Sequence, residues 1–163
     1  MTMSKTKAEL IADVRAGRTA WRDLVAAVPR ERMDEPGPMG DWSFHDMASH
    51  LGAWRLRAIE RFEAVARGEA DPPSPWPAEL EDADDDAVNE WIRDRDRTRP
   101  LDEILAAYDA MWDRLAAALQ ALPDATIADP DALPWMGGNA IAESDFLGHL
   151  DEHAVSVRAW LEA

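Results

Sequence analysis

No cysteine occurs anywhere in the 163 residues. Disulfides, thiolate nucleophiles and cysteine-based zinc sites are thereby excluded, and any bound metal would have to sit on histidines and carboxylates. Positive charge is scarce as well, with 17 Lys and Arg against 33 Asp and Glu and a formal net charge of -16. Such a chain repels a phosphate backbone, so a nucleic-acid partner is not expected. No stretch approaches the ~20 consecutive apolar residues of a membrane span, and the opening from Met1 to Glu9 has no apolar run, so neither a membrane partner nor an export signal is expected and the chain reads as cytoplasmic. Phosphate-cradling glycine loops are missing too: Gly137 and Gly138 are followed neither by a lysine nor by a full GxGxxG pattern. Strand-like alternation and repeats of fixed period are also lacking.

What remains is helical periodicity in a chain of single-domain size, read as one domain over residues 1–163. Leu10, Ile11, Val14, Trp21, Leu24, Val25 and Val28 lie on one face of a first helix, opened by a capping box of Thr6 and Glu9 and interrupted by Gly17. Pro36, Gly37, Pro38 and Gly40 form a connecting loop. Ser43 then caps a second helix whose stripe runs through Met47, Leu51, Trp54, Ala58, Phe62 and Val65 and stops at Gly68. Pro72, Pro73, Pro75 and Pro77 favour an extended crossover, followed by a short helix carrying Val88, Trp91 and Ile92. The stripe Leu101, Ile104, Leu105, Tyr108, Trp112, Leu115, Leu119 and Leu122 defines the third long helix. Phe146, Leu150, Val157 and Leu161 define the last. The expected fold is an all-α four-helix bundle with a long crossover between its second and third helices.

Four histidines are present, and three hold informative positions. His149 and His153 are four apart, so both imidazoles leave the same side of the last helix and can reach one metal ion. His50 lies on the core-facing stripe of the second helix, between Met47 and Trp54. Three imidazoles with open positions suit zinc, nickel or iron and would acidify a bound water toward neutrality. Taken singly, each histidine reads first as a packed side chain satisfied by one hydrogen bond, and it is the constellation of three that carries the ligand reading. His45 sits about 140° around the helix from His50 and is left out of the set. Asp46 and Asp145, each four residues before a candidate ligand, are possible acceptors for the second imidazole nitrogens. Each has an alternative role in capping or helix-dipole stabilisation. Glu152 is a candidate general base or extra ligand, although helix geometry turns it toward the polar side. Arg57 and Arg158 could neutralise an anionic substrate, with surface pairing as the ordinary alternative. Among the eight tryptophans most belong to the core, and Trp54 and Trp112, with the lone Tyr108, are candidates for a substrate pocket.

The stretch Gly40-Asp41-Trp42-Ser43, with Asp46, His50, Leu51 and Trp54 after it, resembles the second-helix signature of the DinB-like superfamily. His149-Leu150-Asp151-Glu152-His153, followed by Arg158, Trp160 and Leu161, is similar to the fourth-helix region of that superfamily. The opening Ser4 to Leu10 and the loop from Met33 to Trp42 resemble more narrowly the ClbS/DfsB branch. The resemblance spans nearly the whole chain. It implies a four-helix bundle, a metal held by His50, His149 and His153, a small-molecule substrate and, often, a homodimer. Related branches include transferases and isomerases that use a low-molecular-weight thiol, mycothiol or bacillithiol. The ClbS branch implies metal-free self-protection by hydrolysis or binding of a reactive toxin. Asp-Glu-His stands where that branch has an aromatic residue after the first histidine, which weakens the transfer of its cyclopropane chemistry to this chain. A non-catalytic structural bundle is the remaining alternative.

Overall fold

The computed structural model describes residues 3–163, so the first two residues of the single-domain assignment lie outside the described residues. Helix α1 spans Lys7–Ala27. It begins where Thr6 accepts a hydrogen bond from the Glu9 amide while the Glu9 carboxylate accepts from the Thr6 amide at 2.7 Å. Two of the orphan donors of the first turn are thereby satisfied. Helix α2, Phe44–Ala66, starts on the same device built from Ser43 and Asp46. It gives way to Gly68 in the left-handed region at φ 70°.

The crossover leaves α2 through the proline-rich stretch and carries α3, Asp85–Asp96, capped by the Asp84 side chain accepting from the Ala87 amide. Helix α4, Leu101–Ala121, follows Pro100. A five-residue helix α5, Asp124–Ala128, lies in what the sequence reads as plain loop. Pro123 fixes the φ that a first turn needs, and one further turn forms before the chain leaves the helix at Asp129. Helix α6, Gly148–Glu162, ends the fold. It begins later than the stripe suggests. Asp145 accepts from the amides of Leu147 and Gly148, which holds Phe146 in the approach loop, where it is still buried.

The apolar faces of α1, α2, α4 and α6 meet in one core centred on Leu10, Trp21, Leu24, Phe44, Met47, Tyr108, Trp112 and Leu115. Full burial of each large side chain contributes about 1.5–3 kcal/mol, which is where these helices obtain most of their stability. A second, smaller cluster of Ala53, Trp76, Val88 and Ile92 fastens α3 to the outer side of α2. Buried Arg57 donates to the Pro72 carbonyl at 2.6 Å, so it anchors the crossover and does not face a ligand.

Gly17 looks like a weak point of α1 by helix propensity alone. It is the point of closest approach instead. A Cβ built there would lie 2.6 Å from Cη2 of Trp112 and 2.9 Å from the Leu147 side chain. The glycine therefore sets how near α4 and the start of α6 can come to α1.

Candidate metal centre

His50 leaves the second turn of α2, and His149 and His153 leave the first two turns of α6. The N-terminal ends of these two helices consequently meet. Their Nε2 atoms converge: His50 to His149 is 3.0 Å and His153 to His149 is 3.1 Å. All three ligand atoms lie within 4.8 Å of one another. Three imidazole nitrogens held about 2.0–2.1 Å from one ion at angles between 90° and 109° would be about 2.8–3.4 Å apart. The observed spacing of the two close pairs falls in that range.

The tautomer of His50 follows from its surroundings. Trp54 Nε1 lies 2.7 Å from Asn89 Oδ1. An indole N–H can only donate, so the atom that receives it is the amide oxygen and the orientation of Asn89 is fixed. The same oxygen lies 2.9 Å from His50 Nδ1, which must therefore be the protonated nitrogen. The Nε2 of His50 is left as a lone pair aimed at the other two imidazoles. An Nε2–H on His149 can be directed at only one of its two neighbours, so neutral imidazoles alone leave at least one of the close contacts without a well-directed hydrogen bond. A shared cation would accept all three lone pairs at once. The donor set fits a metal ion.

Electrostatics agree with ligand chemistry. Burial, reinforced by the neighbouring His149 and His153, pushes the His50 pKa down to about 4, against a smaller upward pull from the Asn89 hydrogen bond. Burial also lowers His149, helped by Arg55, and lowers His153, helped by His149, while Glu152 opposes both. All three are neutral near pH 7 and carry the lone pairs a metal needs.

The triad forms the floor of a cavity of about 800 Å³. Met39 and Trp42 from the loop before α2 contribute to its wall, as do Trp54, Glu152, and one face of α3 bearing Asp85, Asp86, Asn89 and Glu90. Trp54 and Glu152 are thus placed beside the imidazoles. Glu152 is three residues after His149 and adjacent to His153, which brings it to the cavity despite its exposed position. Tyr108 and Trp112 are not in the cavity. Tyr108 packs edge-on to Trp21 at 4.7 Å, beside Trp112 at 5.6 Å, and it borders a separate crevice of about 190 Å³ with Ser49 and Asp96. Burial raises the Tyr108 pKa.

The two acceptors read from i−4 spacing have other work. Asp46 completes the α2 cap and pairs with Arg93 at 3.2 Å, and Asp145 caps the entry to α6. Asn89, from the crossover helix, takes the position assigned to Asp46. Arg158 is exposed and does not line the cavity, and His45 sits apart against Asp34 at 2.8 Å.

A helical bundle with three converging neutral imidazoles in an open cavity defines a class of bundle proteins with a donor set able to hold a metal ion. The sequence profile described as the mycothiol maleylpyruvate isomerase N-terminal domain matches residues 14–157, and the chain belongs to that family, which lies within the DinB-like superfamily. Among solved structures, the crystal structure of an uncharacterised protein from Escherichia coli UTI89 superposes with a TM-score of 0.75 at 13% identity, over 99% of this chain and 96% of that one. At that identity the likeness concerns the fold alone. No curated protein matches the chain.

Proposed function

We propose that the protein is a metal-dependent enzyme that uses a low-molecular-weight thiol to transform a small electrophilic molecule, with His50, His149 and His153 as the metal ligands. The observation that carries this reading is the convergence of three neutral imidazole Nε2 atoms in an open cavity. Membership of a family that is often metal-binding and thiol-related supports it. A zinc, nickel or iron ion bound there would supply Lewis acidity, lowering the pKa of a thiol or water that joins it.

The protein's own groups do the rest. Asn89 and Trp54 hold the His50 ring in one tautomer, and the N-terminal turns of α6 hold the other two imidazoles in register. Glu152 provides a carboxylate beside them that can take a proton from an incoming thiol, or from water if the reaction is a hydrolysis. Trp42 and Trp54 offer apolar surface to the rest of the substrate and limit the water that reaches the floor. Such thiols are kept reduced in the cytoplasm, the location this reading implies. The aromatic wall also supports a second reading nearer the ClbS/DfsB branch, a metal-free protein that binds or hydrolyses a reactive toxin.

The test is turnover. Metal-loaded protein is incubated with mycothiol and monochlorobimane, and conjugate is followed by mass spectrometry. Wild type should exceed a variant with His50, His149 and His153 all changed to Gln by at least a hundredfold. Equal rates in the two would sink the proposal.

A further inference from the structure

We infer that the cavity above the three histidines selects a co-substrate bearing a positive charge, such as a protonated amine, and rejects carboxylate-bearing ones. This rests on the metal-and-thiol reading of the same site. Helix α3 turns Asp85, Asp86 and Glu90 toward the cavity, with Glu152 on α6. Asp86, Asn89 and Glu90 share one side of α3 by their i, i+3, i+4 spacing, so the carboxylates and the Asn89 amide form one wall. No lysine or arginine is among the lining residues.

Arg93 and Arg55 direct their guanidinium contacts elsewhere, although the Arg55 charge is felt at His149. Arg93 pairs with Asp46 at 3.2 Å and more loosely with Glu90 at 3.9 Å, and it covers the Trp42 ring at 5.2 Å. Arg55 donates to the Phe146 carbonyl at 2.7 Å and lies over the Trp112 ring at 4.8 Å. The positive ends of the helices that meet here are also taken. Ser43 Oγ, Asp84 and Asp145 accept from the first-turn amides of α2, α3 and α6. No cationic side chain lines the wall to receive an anion.

Formal charge makes the preference quantitative. Four carboxylates, three neutral imidazoles and one divalent ion sum to a net charge of about -2 for the loaded cavity. A carboxylate about 6 Å from a ligand charge in water-like surroundings changes affinity by roughly threefold. The indoles of Trp42 and Trp54 add ring surface that favours a cation over an anion. A dicarboxylate, carrying two negative charges, meets four carboxylates in the wall and has the metal as its sole charged attraction.

Three small thiols that differ mainly in terminal charge separate the alternatives: cysteamine, 2-mercaptoethanol and 3-mercaptopropionate. Each is titrated into the full-length cobalt-loaded protein, read both by thiolate-to-cobalt absorption and by calorimetry, at low and at high salt. Cysteamine should bind at least tenfold tighter than 3-mercaptopropionate, with 2-mercaptoethanol between them, and the spread should narrow with salt. The double variant Asp86→Asn with Glu90→Gln should reduce the spread severalfold while cobalt loading stays intact. Equal or tighter binding of 3-mercaptopropionate overturns the inference while leaving the thiol reading standing. If no thiolate absorption develops with any of the three, the thiol reading fails, and the calorimetric order still decides the charge preference. Indistinguishable or absent heats for all three overturn it.

Discussion

Replacing Asn89 by leucine removes the one acceptor shared by Trp54 and His50 while roughly preserving side-chain volume. The two donors do not suffer equally. Trp54 is half-buried and can turn its N–H toward water, whereas His50 is only 7% exposed and its Nδ1–H has no comparable outlet. Leaving a buried donor unpaired costs about 1–3 kcal/mol, so the metal-free protein should lose about that much stability, nearly all of it from His50. The ring can avoid the penalty by moving its proton to Nε2, which faces His149 and cannot then ligate. Metal affinity should accordingly fall by roughly 10–100-fold. Asn89→Asp keeps an acceptor oxygen within reach and should retain most of the affinity. Chelator competition gives the dissociation constants, and ¹⁵N chemical shifts of the imidazoles in the metal-free protein report the tautomer directly. Unchanged affinity in Asn89→Leu, with His50 still protonated at Nδ1, would refute the reasoning.

Other consequences follow from the same geometry. Gly17→Ala should destabilise the protein by about 1–3 kcal/mol in chemical denaturation, although helix propensity alone favours alanine by about 1 kcal/mol, because the added Cβ meets Trp112 and Leu147. A stabilised variant would show that α1 and α4 have room to part. For pH, His50 binds its proton less readily in the folded chain, at a pKa of about 4, than in the unfolded chain, at about 6.5. The unfolded state therefore takes up more protons in that window, and the metal-free protein should lose stability as pH falls from about 6.5 to about 4, by roughly 3 kcal/mol from this group. The slope should flatten in His50→Gln. Glu152→Gln should lower the rate of thiol conjugation by roughly 10²–10⁴-fold while leaving metal content unchanged, as expected for loss of a proton acceptor and not of a ligand.

The four long helices could be read from sequence because each buries one continuous stripe, and a stripe repeats every three or four residues whatever the partner is. His149 and His153 were legible for the same reason, being one turn apart on one helix. Convergence with His50 followed only from its place on an inward face. Asn89 was not legible: it lies 39 positions from His50, in a crossover helix whose docking depends on the Ala53, Trp76, Val88 and Ile92 cluster. The i−4 rule pointed instead to Asp46 and Asp145, whose position at helix starts commits their carboxylates to capping amides, those of Ser43 and Gly148. Tyr108 and Trp112 illustrate a related limit. Periodicity says that a side chain faces inward, but a four-helix bundle has more than one interior direction, and theirs points to α1 and not to the cavity.

The central claim is that the three imidazoles hold one metal ion. Elemental mass spectrometry on protein purified without an affinity tag or chelator tests it most directly, with circular dichroism alongside. Wild type should carry close to one zinc, nickel or iron ion per chain, and both His149→Ala and His153→Ala should lose it with helicity retained. Wild-type protein that stays empty after reconstitution with all three metals, or variants that load as fully as wild type, would contradict it.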